Sequence, residues 1–329
     1  MQVDTRPDTM TNIASYFQVS SDKLQRHYKH EVSGFKQWDQ LPHAEDYLLF
    51  PENITEHISI DEVSLSKGEL YTVVTNKNTR CQNKQSLIAV INGTDAKTIE
   101  EVLSKIPIEK RNQVKEISMD MAPNMAMAAR NSFIKSEAVV DRFHVVRLVC
   151  DAMQHLRTKL RWEAIADENE QIKKAKAEGL KYKSEILSNG DTVKELLARS
   201  KYLLYKHKDD WTASQARRAT ALFQRYPQLE VAYKLTLSFR NIYKSTYKHD
   251  ALQQILCWKE KVVAAKIDEF NTVVYSIEHH LENILNFFNN RNTNANAESF
   301  NSKIKAFRAN LRGVTDVSFF LFRLHKLFA

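Results

Sequence analysis

The chain has 329 residues, enough for two or three structural units and a substantial core, and its 43% hydrophobic content excludes a disordered tail. Its 48 Lys and Arg outnumber 40 Asp and Glu, and the resulting formal charge of +8 suits a polyanionic partner. The three cysteines, Cys81, Cys150 and Cys257, lie far apart without a C-x-x-C pair, which argues against a disulfide framework or zinc site and for a reducing cytoplasm. No basic-then-apolar export signal opens the chain, and no apolar run nears the roughly 20 residues that cross a bilayer. A cytoplasmic protein with no membrane partner is expected, and with only six Gly and six Pro its helices should be long.

Residues 1–52 are expected to form a small α-helical segment. Within it, TNIASYFQVSSDKLQRHYK (11–29) spaces Ile13, Ala14, Phe17, Val19, Leu24 and Tyr28 as two short helices around a turn at Gln18–Ser21. Ser20 or Ser21 would cap the second helix. As a helix-turn-helix, it would present Lys23, Gln25, Arg26 and His27 to DNA. Gln18 stands where the turn glycine usually does, so a plain helical hairpin is the alternative.

From residue 57 the period changes to that of strands: HISIDEVSL, a tight turn at SKG, ELYTVVTN, then QSLIAVING. An amphipathic helix follows at 95–106 with Asp95 near its start. VKEISMDM (114–121) reads as a fourth strand, 123–135 as a helix and EAVVDRF (137–143) as a fifth strand. The order β-β-β-α-β-α-β predicts an α/β fold with a mixed five-stranded sheet flanked by helices. Residues 53–150 would form the first part of this core. Beyond residue 144 the strands stop: four helical runs fill the stretch to 286, an all-α insertion assigned to 151–286. Residues 287–329 would return to complete the core, with a helix at about 294–310.

Three acids are placed for a metal site. Asp61 lies mid-strand between apolar neighbours, Asp120 closes the fourth strand before Pro123, and Glu298 lies on the C-terminal helix. Partly buried carboxylates repel one another unless a charge neutralises them. Hard divalent cations with oxygen ligands do so, and a pair roughly 4 Å apart forms the clamp used for phosphoryl displacement. Two Mg²⁺ ions are expected, with Mn²⁺ able to substitute. Glu62 should point to the opposite strand face. Asp141 either caps the helix that opens at about residue 144 or, with His144, supports the metal site.

The set SIDEV, ISMDMAPNM, VVDRFHV and NANAESFNSKIKAFR resembles the DDE transposases of bacterial insertion sequences, nearest the ISL-three group and its ISAon-like elements. The resemblance runs from about residue 55 to the C-terminus. It implies an RNase H-like core interrupted by a helical insertion, with Asp61, Asp120 and Glu298 as the metal-binding triad, and it places Asp141 and His144 in a D-[RK]-F-H segment. It also implies a nucleoid-associated enzyme that cleaves the ends of its element and joins the 3′-hydroxyl to target DNA, as a homodimer or larger synaptic complex. Two departures stand out. Met121, Ala122, Pro123 and Met125 follow Asp120 where an aromatic is usual, and the N-terminus lacks a zinc-ligand cysteine cluster, so end recognition could fall to a separately encoded DNA-binding partner.

On the C-terminal helix Glu298, Asn301 and Lys305 share a face, so Asn301 and Lys305 would grip phosphates beside the acid. Lys303, Arg308 and Arg312 continue the basic stripe, and Ile304, Phe307 and Leu311 would face the core. Residues 201–249 hold ten Lys or Arg against three Asp or Glu, interleaved with aromatics. Arg217, Arg218, Arg240 and Lys244 are the candidates for DNA contact; most of the aromatics, with Trp162 and Trp258, would form the bundle core. A nuclease or resolvase without strand transfer and a non-catalytic DNA-binding derivative are the rival functions.

Overall fold

The computed structural model describes residues 2–66, 69–77, 86–291, 295–311 and 314–329, except for the side chains of Gln2, Leu65, Ser66 and residues 295–298. The chain begins with three short helices, α1 (Gln2–Thr5), α2 (Met10–Tyr16) and α3 (Ser21–His27), and then β1 (Tyr47–Leu49). Strands β2 (His57–Ser66), β3 (Glu69–Asn76) and β4 (Leu87–Asn92) follow. Next come α4 (Ala96–Ser104), α5 (Ile108–Arg111), β5 (Glu116–Met119), α6 (Pro123–Ser132) and β6 (Glu137–Val140).

Among the described residues six strands form one mixed sheet in the order β1-β4-β3-β2-β5-β6, one more than expected. The extra strand, β1, comes from the N-terminal stretch expected to be helical. Three residues are too few to reveal alternation, and its ladder to β4, with Leu48 opposite Val90, depends on a distant partner. The β1–β4, β4–β3 and β3–β2 pairs are antiparallel, whereas β5 and β6 run parallel to β2. Alternation along β2 then fills two cores. Ile58 and Ile60 join Val74, Ile88, Ile117 and Met119 under α4 and α6. Asp95 caps α4 by accepting from the Thr98 N–H at 3.2 Å, so that Ile99 and Leu103 turn inward.

Among the described residues the second part of the chain is built of helices joined by loops: α7 (Arg142–Ala177), α8 (Val193–Arg199), α9 (Ala213–Arg225), α10 (Pro227–Ile242), α11 (Lys248–Ala265), α12 (Asn271–His279) and α13 (Leu281–Asn290). Two expected long helices are broken. Pro227 stops α9 and starts α10, because it has no N–H to continue the ladder. Lys266, in the left-handed conformation at φ 52°, ends α11. In α7 the positions Val145, Val149, Met153, Leu156 and Leu160 are buried. Trp162 lies past the last of them and is 63% exposed, not the core residue expected. Trp258 is buried and donates its indole N–H to the Leu235 carbonyl at 2.9 Å.

The chain closes with α14 (Ala295–Asn310) and α15 (Val317–Phe328). It divides into two compact units, residues 1–141 with 291–329, and residues 142–290. The first unit is therefore discontinuous. On its second sheet face Val63, Tyr71 and Val73 meet Phe300, Ile304 and Phe307 of α14 and the phenylalanines of α15. Full burial of Phe300 and of Phe307 contributes about 2–3 kcal/mol each. The N-terminal segment shares this core through Ile13, Tyr28, Phe35 and Trp38. The Trp38 and Phe322 rings meet edge to face at 5.2 Å.

Candidate metal and nucleic-acid site

The parallel ladders align three acids. Ser59 of β2 pairs with Ser118 of β5, and Ser118 pairs with Val139 of β6. Two residues further along the three chains come Asp61, Asp120 and Asp141. The register therefore sets the backbones of all three level with one another, Asp61 within β2 and the other two just past the ends of β5 and β6. The Asp141 N–H donates to the Met119 carbonyl at 2.9 Å, which carries the ladder to this level. Here β5 and β6 end while β2 continues, so the row lies at the carboxyl edge of the parallel strands, where open α/β sheets form crevices. Asp141 is buried, and Asp61 and Asp120 are half-buried. One carboxylate oxygen of Asp61 accepts from the Glu62 N–H at 2.8 Å. One of Asp120 accepts from the Ala122 N–H at 2.8 Å, an Asx turn leading into α6.

Glu62 reports the local charge. Burial pushes its carboxyl above the usual range, and the negative charges of Asp120 and then Asp61 push it the same way. Below the acids lies a buried polar layer that the sequence did not reveal. The Lys77 ammonium sits 3.1 Å from a Glu116 oxygen and donates to Ser118 Oγ at 2.5 Å, and the Ser59 and Thr75 hydroxyls are 2.6 Å apart. A lone Lys and a lone Glu in β-branched runs are the only sequence traces of it.

Helix α14 packs along β2. Asn301 donates its side-chain amide N–H to Asp61 Oδ2, and the Arg308 guanidinium donates to the Ser64 carbonyl at 3.3 Å. Seven helical residues advance about 10.5 Å and three strand residues about 10 Å, so helix and strand run in the same direction. Asn301 was expected to grip phosphates; it is 6% exposed and engages Asp61 instead. Its position borders the stripe formed by Ile304 and Phe307, and that stripe is drawn into the core. Glu298 lies one turn before Asn301, and its side chain is outside the described residues. Lys305 is exposed and Lys303 is half-buried; Arg312 lies outside the described residues.

A sequence model for the ISL-three group of DDE transposases, described as a transposase, matches residues 58–324. The chain belongs to that family. Among curated proteins none matches it. Transposase function makes DNA its partner. Among the described residues no helix is long and apolar enough to cross a membrane.

Metal-dependent chemistry needs oxygen ligands, and among the described residues no group of three His, Cys, Asp or Glu is disposed to hold an ion. What this transposase does have fits a hard cation. Two carboxylates, Asp61 within β2 and Asp120 just past the end of β5, stand level; burial and then their charges oppose ionisation of Glu62; and among the described residues nothing donates to the buried side-chain oxygen of Asn301.

The remaining candidates divide by what they touch. Lys23 and Arg26 are exposed on α3, which has no buried residue. In the helical unit Arg217 and Lys244 are exposed, and Arg240 donates to the Tyr205 carbonyl at 2.8 Å. Arg218 is not a free surface cation: its Nε donates at 2.8 Å to Asp191, a buried carboxylate that Arg199 also reaches at 2.5 Å. Burial would raise the Asp191 pKa, but the two guanidinium hydrogen bonds outweigh it and hold it below the usual range. Trp211, Phe223 and Tyr233 pack ring against ring at 5.5–6.4 Å, so these aromatics serve the bundle core. His144 is half-buried on α7.

Proposed function

We propose that this transposase is a metal-dependent enzyme that cleaves the DNA at the ends of its element and transfers the 3′-hydroxyl to target DNA. Asp61 and Asp120, with Glu298, would hold two Mg²⁺ ions, or Mn²⁺ in their place. The single observation that carries the reading is the Asn301–Asp61 hydrogen bond, which fixes α14, the helix bearing Glu298, against the strand bearing Asp61. The order β4-β3-β2-β5-β6, three antiparallel strands followed by two parallel ones, supports an RNase H-like core.

The cations, when bound, would activate the attacking oxygen and stabilise the leaving one. The chain's own groups do the rest. Backbone N–H groups of Glu62 and Ala122 orient Asp61 and Asp120, and the sheet keeps both at one level. Exposed Lys305 beside the site, with Lys303, attracts the phosphate backbone. In the first step water displaces a 3′-oxygen from phosphorus; in the second, that 3′-hydroxyl attacks a target phosphodiester and expels another 3′-oxygen. No covalent protein–DNA bond forms. Asp141 and His144 would support the site, and a homodimer or larger complex, with or without a separate DNA-binding chain, would bring two ends together.

The test incubates the chain with duplexes carrying its element ends, target DNA and Mg²⁺. Joined product is expected, and D61N, D120N and E298Q should each abolish it. Cleavage without joining would make the chain a nuclease or resolvase. Cleavage undiminished in D61N would overturn the reading.

A further inference from the structure

Asn301 lies in a basic helix of a DNA-processing protein, where an amide would ordinarily be counted among the phosphate contacts. Its environment says otherwise. The residue is 94% removed from solvent, flanked along the helix by the buried Phe300 and Ile304, and its amide N–H donates to the carboxylate of Asp61, 240 positions earlier in the chain. A buried amide cannot reach a DNA backbone. It can hold a carboxylate in one rotamer, because a fixed donor on one oxygen removes the rotational freedom that a strand-borne Asp otherwise has.

The other end of the same amide is unspent. Asn301 Oδ1 is buried and, among the described residues, accepts no hydrogen bond. An unpaired buried carbonyl is costly, so a fold keeps one where something else uses it. Next to a carboxylate, a neutral hard oxygen adds affinity for a hydrated divalent cation without adding negative charge.

We infer that Asn301 is a positioning residue: it orients Asp61 through its N–H and offers its oxygen to the divalent cation held there, rather than contacting DNA. This rests on the proposed metal-dependent function. Groups that orient metal ligands typically change metal affinity by 10- to 100-fold when removed, and loss of a coordinating oxygen adds to that.

The test measures Mn²⁺ binding to the full chain without DNA, from the loss of the free-ion electron paramagnetic resonance signal, for wild type, D61N, N301A and N301D. N301A should weaken Mn²⁺ binding at least tenfold while leaving DNA affinity in EDTA unchanged. N301D is isosteric and guards against a folding defect. It swaps the donor for a second carboxylate, so its melting temperature should fall without metal and rise on adding Mn²⁺ by more than the wild type's does. Wild-type Mn²⁺ affinity in N301A, an equal metal-induced rise in N301D, or reduced DNA affinity in EDTA would each overturn the inference. If D61N also binds Mn²⁺ normally, the metal-site reading itself fails; if D61N loses binding while N301A keeps it, only the role of Asn301 fails.

Discussion

Asp61 and Asp120 end up level on neighbouring parallel strands, each two residues beyond a serine, and the two serines, Ser59 and Ser118, are paired in the ladder. The spacing between these acids is therefore set by sheet register rather than by loop conformation. A one-residue slip of β5 would take Asp120 out of level with Asp61.

That geometry sets the expected effect of removing a carboxylate. D61N and D120N should each lower strand cleavage about a thousandfold or more, equivalent to roughly 4 kcal/mol of lost transition-state stabilisation. Both should fold at least as stably as wild type without metal, because each relieves repulsion at Glu62. Calorimetric melting in EDTA beside a gel-based cleavage assay checks both halves.

Glu62 supplies a pH signature. Its pKa is raised in the folded state, so the native protein holds this proton more tightly than the unfolded chain. Its contribution is fully present below the unfolded value and is lost as pH rises through the folded one. Metal-free melting temperature should accordingly decline across that range, and E62Q should flatten the decline. Saturating Mg²⁺ should do likewise. Melting curves at stepped pH, with and without metal, measure it; an unchanged slope in E62Q would remove Glu62 as the cause.

Arg218 and Arg217 are adjacent in sequence and should behave differently. Arg218 and Arg199 both reach buried Asp191, so D191A should cost the helical unit about 2 kcal/mol and R218A somewhat less. Because the Asp191 pKa is depressed, its stabilisation is present above the ordinary Asp value and fades as pH falls through the folded one. R217A should leave stability within about 0.5 kcal/mol and, if this surface meets DNA, reduce the salt dependence of binding by about one phosphate contact. Urea melts and binding isotherms at several salt concentrations separate the two.

Truncation tests how the cores are shared. Residues 142–290 are continuous and have their own core, so they should melt cooperatively alone. Removing residues 1–50 strips Phe35, Trp38 and Leu48 from the phenylalanines of α15. That loss approaches the whole stability of a domain, and the truncated chain should fail to give soluble folded protein. Circular dichroism of both fragments decides it.

What could be read in advance followed local rules. ELYTVVTN is the strand Glu69–Asn76 residue for residue, because β-branched content and flanking turn residues suffice to define it. Asp95 announced α4 through its cap. The Asp61 and Asp120 strands were legible because an acid in an apolar run is unusual. The unread features all depend on distant partners. Strand β1 exists because β4 offers an edge, and Arg218 is half-buried because it pairs with Asp191, 27 positions away. Asn301 looked like one more polar residue on a basic helix, since nothing near it in sequence indicates that Asp61 lies opposite.

The discontinuity of the first unit has a consequence for synthesis. When Asp141 leaves the ribosome, the sheet and its acids are complete but α14 and α15 are not yet made, and the whole helical unit must be translated first. At about 5–20 residues per second that is a wait of roughly ten to thirty seconds, with one face of the sheet uncovered. The nascent chain thus passes through a window in which that face is prone to aggregate, and the window closes only once α14 and α15 emerge.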